Sequence, residues 1–570
     1  MGGFVAGQKI NDFRAWMAHE NLDACIVPHS DRFQSEYLTP DTERLAWLTG
    51  FTGSAGMAVI AANKAALFTD GRYTLQASQQ LDLAVFEVIE APPAKPTEWL
   101  KNNLREKARI GFDPLLFTVS QMNLWQRGAQ ENDWELIAVE ANPVDALWTD
   151  RPVQDNIPAE AHSLEYAGMT TGEKIAQILA QKNPKAGHVL ISDPSLVCWL
   201  LNMRGRDVAH TPLVQSMALL DNESHVTLFA DARKIPENLR LGWGNHVSVE
   251  DLSHLNESLG KLDKPLQIDP AQCAYAIKEF CLQNDLMLIE ATDPAMLLRA
   301  CKNEAEIRGA IIAHENDAVA FRNFLDWYYA RDFAAGIITE LDIVEKLRRF
   351  RAENSAYVDD SFDTIAGFGP NGAIVHYRAN ETSNLRLVPN NLLLLDSGGQ
   401  YRMGTTDVTR VLPVGNPAPQ MKKHYTAVLK GLIALSTARF PHGTTGVQLD
   451  ALARAPVWEL GLDYAHGTGH GVGSFLSVHE GPQGISSRNT TPLQPGMILS
   501  IEPGIYLENE YGIRLENLVV VIEDNRADDI KPMLAFQTLT KIPFDAGLIK
   551  WDALSDSEKI FLQGFATSEI

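Results

Sequence analysis

Five side chains that can bind metal ions lie in the last third of the chain, each beside an apolar run or a glycine-rich turn. Four carboxylates and one imidazole suit hard or borderline divalent cations. Carboxylates that share one pocket cannot all stay ionised unless positive charge balances them, and two divalent cations would supply an equal opposite charge. The residue types therefore predict a dinuclear metal site, formed by Asp396, Asp407, His470, Glu502 and Glu516.

The two aspartates flank a predicted turn. Asp396 ends the apolar run 391–395, which is typical of a buried strand, where a charge is costly unless it has a partner. Gly398, Gly399 and Gly404 favour turns, and the segment 405–410, rich in β-branched residues, predicts a returning strand. Such a strand pair would direct both aspartates into one site. The alternative is that both are loop residues that form Asx turns.

The candidate histidines lie in strand-edge, glycine-rich or proline-rich surroundings. Segment 466–473 reads HGTGHGVG, and its glycines allow the backbone to approach a metal or substrate closely. A single histidine is more often structural than functional, but four in such settings favour function. They are His376, His466, His470 and His479.

The remaining acidic residues occur at predicted strand ends. Glu502 precedes Pro503 and Gly504, which predict a sharp turn after a strand. In segment 512–519, strand alternation would place Arg514 and Glu516 on one face, where Arg514 could orient a metal-binding carboxylate. The alternative is a surface ion pair on an edge strand.

The surrounding pattern predicts alternating helices and strands. Segment 10–22 has the periodicity of an amphipathic helix, 23–29 of a strand, and 57–70 of two strands joined by a turn. Long helices are predicted over 302–330, 339–353 and 422–440, with Thr339 as an N-cap. Segment 148–162 is a predicted linker. Segment 373–377 is predicted as a strand, which argues against a dinucleotide site at the GxGxxG match 367–372.

Two pairs of similar short segments indicate an internal duplication. Segment 47–50 resembles 199–202, and 67–72 resembles 228–233, with an insertion in the second copy near 203–212. The alternative is chance recurrence of short patterns.

Composition and charge exclude several classes of protein. With 570 residues, of which 45% are hydrophobic, the chain is long enough for several globular domains. A formal net charge of -23 argues against a nucleic-acid partner. We expect no membrane association, because no apolar run has the length of a membrane span and the N-terminus lacks a signal-peptide pattern. Five scattered cysteines without CxxC spacing indicate a reducing compartment, so we expect a cytoplasmic protein.

These residues resemble those of the pita-bread metallopeptidases, which include methionine aminopeptidase, prolidase, creatinase and aminopeptidase P. The similarity is greatest to the three-domain aminopeptidase P type. In the last part of the chain it extends over 359–377, 396–410, 461–482 and 511–521, and outside this part over 43–60, 67–77 and 199–210. The resemblance implies a mixed α/β and α+β architecture. We expect creatinase-like domains over 1–155 and 156–301 and a pita-bread catalytic domain over 302–570.

The resemblance also implies roles for the candidate residues. By analogy with that family, Asp396 would bind one metal and His470 the other, Asp407 and Glu516 would bridge both, and Glu502 would complete the second site. His376, His466 and His479 match histidines that contact substrate. The family implies two manganese ions, with zinc and cobalt as alternatives, proline-containing peptide substrates and a homodimer.

The predicted reaction is removal of an N-terminal residue when proline is second. A hydroxide shared by the metals would attack the carbonyl of the first residue, with Glu502 as proton carrier and His376 or His479 stabilising the oxyanion. The rival activities are prolidase, which acts on dipeptides, creatinase-type hydrolysis, and a non-catalytic binding or chaperone role.

Overall fold

The computed structural model describes residues 2–565 and the side chains of residues 7–565. The chain forms two compact units. The first comprises Met1–His162, Met169–Ala209 and Leu213–Ala295, and the second comprises Ser163–Gly168, His210–Pro212 and Met296–Ile570. None of the described helices is both long and apolar enough to cross a bilayer.

The first unit contains two six-stranded mixed sheets with the same strand order and directions. In each sheet one strand, Met57–Ala61 or Met217–Asp221, is antiparallel to both of its neighbours, and the other pairs are parallel. In spatial order the strands of the first sheet are Glu87–Glu90, Ala65–Thr69, Met57–Ala61, Ala24–Pro28, Arg109–Phe112 and Glu135–Ala138. Those of the second are Val247–Glu250, Val226–Phe229, Met217–Asp221, His188–Ile191, Leu266–Ile268 and Leu288–Glu290. A two-stranded sheet pairs Glu160–Ala161 with Met203–Arg204.

Helices cover the strands of both sheets. Alternate residues of one strand enter different cores: Ile60 packs with the helix residue Phe13, whereas Val59 packs with Trp125. A strand covered on both faces needs apolar residues throughout, which explains its continuous apolar sequence. The α-helices are Gly2–His19, Arg44–Thr49, Thr74–Gln80, Pro96–Asn103, Val119–Glu131, Pro143–Leu147, Thr171–Gln181, Pro194–Leu200, Glu237–Trp243, Leu255–Leu259, Tyr275–Gln283 and, where the chain passes between the units, Pro294–Ala300. The 3-10 helices are Ala232–Lys234, Gly244–His246 and Leu252–His254.

The duplication predicted from two pairs of similar short segments is confirmed by the matching sheets. Trp47 and Trp199 lie in helices that follow equivalent strands, Arg44–Thr49 and Pro194–Leu200. The segment between this helix and the next strand of the six-stranded sheet is longer in the second copy, 201–216 against 50–56, and it contains residues 203–212, where the sequence indicated an insertion.

The second unit combines several long helices with several antiparallel sheets. Its α-helices are Leu164–Ala167, Glu304–Tyr329, Glu340–Ala352, Pro419–Ser436, Gly446–Trp458 and Asp556–Gln563, and its 3-10 helices are Phe333–Ala335, Gly369–Ala373 and Trp551–Ala553. Its six-stranded sheet contains, in spatial order, Arg439–Pro441, Met533–Thr538, Asn517–Glu523, Ile498–Ile501, Gly469–Gly471 and Glu480–Ile485. One three-stranded sheet contains Ile365–Phe368, Asn391–Ser397 and Val408–Val414, and the other contains Tyr357–Asp360, Gly399–Tyr401 and Gly404–Thr405. A two-stranded sheet pairs Gly504–Leu507 with Tyr511–Arg514.

The three long helices predicted for this unit are confirmed, and Thr339 caps Glu340–Ala352 through a capping box. The end predicted for the third helix is wrong, because the helix ends at Ser436 and residues 439–440 belong to the strand Arg439–Pro441. The strand predicted over 373–377 is wrong. Pro370 and three nearby glycines instead favour the 3-10 helix Gly369–Ala373, which is followed by a turn.

Side chains of the strand Asn391–Ser397 alternate between the two faces of its sheet, and one of these faces packs on the long helices. Leu393 and Leu395 pack against Phe321, Phe324 and other residues of the long helices. Asp396, offset by one residue, therefore lies on the opposite face of the sheet.

Candidate metal centre

The two candidate aspartates lie on neighbouring strands. Asn391–Ser397 pairs antiparallel with Val408–Val414, and Asp396 is opposite Thr409. Asp407 directly precedes the second strand, in an irregular pair of residues rather than within the predicted strand. At Gly398 a β-carbon would lie 1.9 Å from the carbonyl oxygen of Thr406, so only glycine permits this close turn.

Three of the five predicted ligands form a compact cluster. One ligand atom from each of Asp407, His470 and Glu516 lies within 4.8 Å of the other two. His470 Nε2 is 3.5 Å from Asp407 Oδ2 and 3.5 Å from Glu502 Oε1, so Glu502 adjoins the cluster. His470 Nδ1 lies 2.9 Å from its neighbour's carbonyl oxygen, that of Gly471. This contact makes Nδ1 the donor and leaves Nε2 as the atom available to a metal.

Glu516 lies at a break between strands. Segment 512–519 is not the single strand that alternation predicts, because Tyr511–Arg514 and Asn517–Glu523 belong to different sheets. At the break, the Glu516 amide donates to the Thr409 carbonyl at 3.1 Å, and the Thr409 hydroxyl donates to Glu516 Oε2 at 2.8 Å. Residue Thr409 thus holds the carboxylate beside Asp407.

Several carboxylate oxygens are buried without a hydrogen bond. These are Asp396 Oδ1, Asp407 Oδ1 and Glu516 Oε1. Burial raises the pKa of Asp396 to about 7 despite its arginine neighbour. Burial, together with the charges of Asp407 and Asp396, raises the pKa of Glu516 well above its usual value. The raised pKa values of Asp396 and Glu516 mean that these two buried groups need positive charge nearby to be ionised. Two bound divalent cations would supply that charge, so the donor set fits a dinuclear metal centre.

Arg514 connects Asp396 to a tyrosine. Its Nη2 donates to Asp396 Oδ2 at 2.5 Å and its Nε at 3.2 Å, while Nη1 donates to Tyr506 Oη at 2.7 Å. Tyr506 was not predicted from the sequence. It lies in the strand Gly504–Leu507 that follows Glu502, and its position after the Glu-Pro-Gly turn is the only sequence signal.

His466 bonds to this tyrosine rather than to the carboxylates. Its Nε2 is 2.8 Å from Tyr506 Oη, and its Nδ1 is 2.8 Å from the Gly467 carbonyl oxygen. Nδ1 is therefore the donor, and Nε2 accepts the tyrosine proton. Burial lowers the pKa of His466 to about 4, so the ring is neutral.

The other two histidines occupy different surroundings. The half-buried ring of His479 has its centroid 4.3 Å from that of His470, in an edge-on arrangement. His376 lies half-buried in the turn after the 3-10 helix Gly369–Ala373. That helix packs on the strand of Arg514 so closely that a β-carbon at Gly512 would lie 1.7 Å from the Gly372 carbonyl oxygen.

Comparison with protein families assigns all three parts of the chain. Residues 309–523 match Metallopeptidase family M24. Residues 9–147 and 150–306 each match the Creatinase/Prolidase N-terminal domain. These matches and the duplicated sheets confirm the predicted fold class.

Individual relatives are similar over almost the whole chain. A probable Xaa-Pro aminopeptidase P from Ajellomyces capsulatus is 36% identical, covering 100% of this chain and 96% of the relative. Aminopeptidase P2 from Arabidopsis thaliana is 35% identical over 98% of this chain and 85% of its own. The crystal structure of X-prolyl aminopeptidase from Caenorhabditis elegans, described as a cytosolic enzyme with a di-nuclear active site, is 32% identical, with a TM-score of 0.92 over 98% of this chain and 94% of that one.

Proposed function

This chain belongs to the Xaa-Pro aminopeptidase P family of M24 metallopeptidases, and we propose that it releases the first residue of peptides whose second residue is proline. The observation that carries this proposal is the cluster of the buried Asp407 and Glu516 with the half-buried His470, whose ligand atoms lie within 4.8 Å of one another. Two divalent metal ions fit this donor set and the dinuclear site described for the nematode relative.

We assign the metal ligands as follows. Asp396 would bind one ion and His470 the other, Asp407 and Glu516 would bridge both, and Glu502 would complete the second site. When bound, the ions would lower the pKa of a water molecule and polarise the scissile carbonyl group. Manganese is the proposed metal, with zinc and cobalt as alternatives.

The surrounding side chains would move protons and hold the ligands. Burial alone opposes ionisation of Glu502, but the neighbouring His470 and Arg514 outweigh it and keep the pKa of Glu502 below its usual value. Its carboxylate could therefore accept a proton from the attacking water and donate it to the proline nitrogen, which cannot leave unprotonated. Arg514 would hold Asp396 through the fork observed in the structure. His376 and His479 are the proposed oxyanion donors, and His466 a substrate-contacting residue.

Other parts of the proposal concern the whole protein. We place domain boundaries after residues 155 and 301. A homodimer in the cytoplasm is proposed, supported by the family resemblance, by the cytosolic nematode relative and by five cysteines that are all free. The physiological substrates would be proline-containing peptides.

A direct assay tests the proposal. The purified protein is analysed for bound metal and incubated with a short Xaa-Pro-Xaa peptide and with Gly-Pro, before and after chelation. We expect cleavage of the tripeptide only, loss of activity with chelator, and recovery with manganese. Cleavage restricted to the dipeptide would instead identify a prolidase.

A further inference from the structure

A buried ion pair on helix Gly446–Trp458 lies outside the metal cluster. Asp450 and Arg454 are one helical turn apart, and both are more than nine-tenths buried. Arg454 Nε donates to Asp450 Oδ2 at 2.7 Å. We call this pair the Asp450–Arg454 clamp, because its remaining polar atoms all bind the loop 463–468, which precedes His470.

The arginine binds the part of the loop that carries His466. Its Nη2 donates to the His466 carbonyl oxygen at 2.8 Å, and its Nη1 to the Tyr464 carbonyl oxygen and to Asp463 Oδ1, both at 2.8 Å. The guanidinium also lies over the Tyr464 ring, 4.0 Å from its centroid. The Tyr464 ring also packs against the His466 ring, with centroids 4.9 Å apart.

The aspartate binds the next part of the loop. The Thr468 hydroxyl donates to Asp450 Oδ1 at 2.5 Å and lies 2.6 Å from Tyr464 Oη. The Thr468 carbonyl oxygen accepts from the Glu502 amide at 2.7 Å. The side chain of Thr468 is fully buried, so water does not replace these bonds.

We propose that Asp450, Arg454 and Thr468 are positioning residues that set the rate of the chemical step. Through separate bonds they hold the loop that places the His466 ring against Tyr506, and they hold the backbone of Glu502. They form no hydrogen bond to the side-chain oxygens of the predicted metal ligands. This role rests on the proposed peptidase function. Because a small displacement of a reacting group lowers kcat by about 100-fold, loosening the loop affects turnover more than substrate binding.

The test compares Thr468→Val, which removes the hydroxyl at constant shape, with Thr468→Ser, which keeps it. We expect Thr468→Val to lower kcat about 10- to 100-fold, to change KM little, and to retain the wild-type metal content. Thr468→Ser should restore most of kcat. Thr426→Val is the matched control, because Thr426 is also a buried hydroxyl with one donated and one accepted bond, but on helix Pro419–Ser436.

Two results would overturn the proposal: equal kcat for Thr468→Val and Thr426→Val, or no recovery with Thr468→Ser. Loss of metal from Thr468→Val would also overturn it, since the loop would then support the metal rather than the chemistry. If Thr468→Val does not fold, Arg454→Lys replaces it, because lysine keeps the charge but cannot bind both carbonyl oxygens and Asp450. The same fall in kcat at unchanged KM is expected.

A crystal structure separates this proposal from the proposed function. If the wild-type protein cleaves no Xaa-Pro-Xaa peptide, the proposed function fails, but the clamp can still be judged by the distance between His466 Nε2 and Tyr506 Oη. We expect this distance to lengthen beyond 2.8 Å in Thr468→Val. An unchanged distance would show that the bond between the Thr468 hydroxyl and the clamp does not position His466.

Discussion

Arg514 and Asp396, 118 residues apart in sequence, form a buried forked contact in which both Nε and Nη2 donate to one carboxylate oxygen. The other carboxylate oxygen is left without a hydrogen bond. One guanidinium thus fixes the orientation of Asp396 while leaving an oxygen for a metal ion. Its third nitrogen binds Tyr506, so the same side chain also holds the tyrosine that bonds to His466.

Arg514→Lys should impair catalysis although the positive charge is kept. A lysine ammonium cannot bind Asp396 and Tyr506 together in the fixed geometry of a guanidinium. We expect kcat/KM to fall by about 100-fold, with weaker binding of one metal ion, measured by steady-state kinetics and metal titration. Arg439→Lys is the control, because Arg439 also forms paired contacts with acidic residues, but on the edge strand Arg439–Pro441. Equal activity of the two variants would contradict the role given to Arg514.

Asp407→Ala should abolish hydrolysis of Xaa-Pro-Xaa peptides in protein supplied with excess metal. Asp407, a predicted bridging residue, has its Oδ2 3.5 Å from His470 Nε2, and its loss removes a negative charge that both cations would share. Metal analysis should find fewer than two ions per chain. Metal addition, which stabilises a native state that binds it, should raise the Tm of the variant less than that of the wild type. Retained turnover would remove Asp407 from the ligand set.

Much of this site follows from short-range sequence patterns. A carboxylate after four leucines, as at Asp396, has few structural explanations other than a ligand or an ion pair. The strands around it were predictable because their apolar residues are consecutive or alternate. The sheets of the first unit were predictable only in part, since two pairs of similar short segments indicated the duplication but not the shared strand order.

Residues whose role depends on distant partners were not predictable. Tyr506, Asp450 and Arg454 have ordinary sequence surroundings, and their roles arise from bonds to His466 and its loop. The break at Glu516 was also missed, because alternation continues in the sequence while the backbone amide bonds to Thr409 instead of to a strand partner.

Glu340→Gln should loosen the segment that carries His376. The fully buried Glu340 carboxylate accepts from the amides of Phe368 and Leu385, which lie on either side of this segment, and from Asn371 and Tyr377 within it. The amide nitrogen of a glutamine cannot accept hydrogen bonds from these donors. Each buried donor left without an acceptor lowers the stability of the folded state by about 1–3 kcal/mol.

We therefore expect a lower Tm and faster proteolysis within residues 376–384, measured by thermal melts and mass spectrometry of the fragments. Glu345→Gln is the matched control, because Glu345 lies on the same helix but pairs with Arg349 at the surface. If both variants are cleaved at the wild-type rate, Glu340 does not anchor the segment.

His210 should make the stability of the protein depend on pH. The residue has a φ of 63°, and its ring lies between Asp359 and Asp363, with nitrogen–oxygen distances of 3.5 and 3.3 Å. Burial alone would lower its pKa, but the two carboxylates outweigh burial and raise the pKa of His210 to about 10. An unfolded histidine has a pKa of about 6.5.

The folded state thus keeps a proton that the unfolded state loses between about pH 6.5 and 10, so stability from this group is complete below that window and disappears as pH rises through it. His210→Asn removes the titration, and asparagine tolerates a positive φ better than most residues. We expect Tm to fall less steeply from pH 6.5 to 10 in His210→Asn than in wild type. In the control His19→Asn, at an exposed helix end, the wild-type slope should remain. Parallel slopes for all three proteins would show that the His210 contacts do not hold the proton.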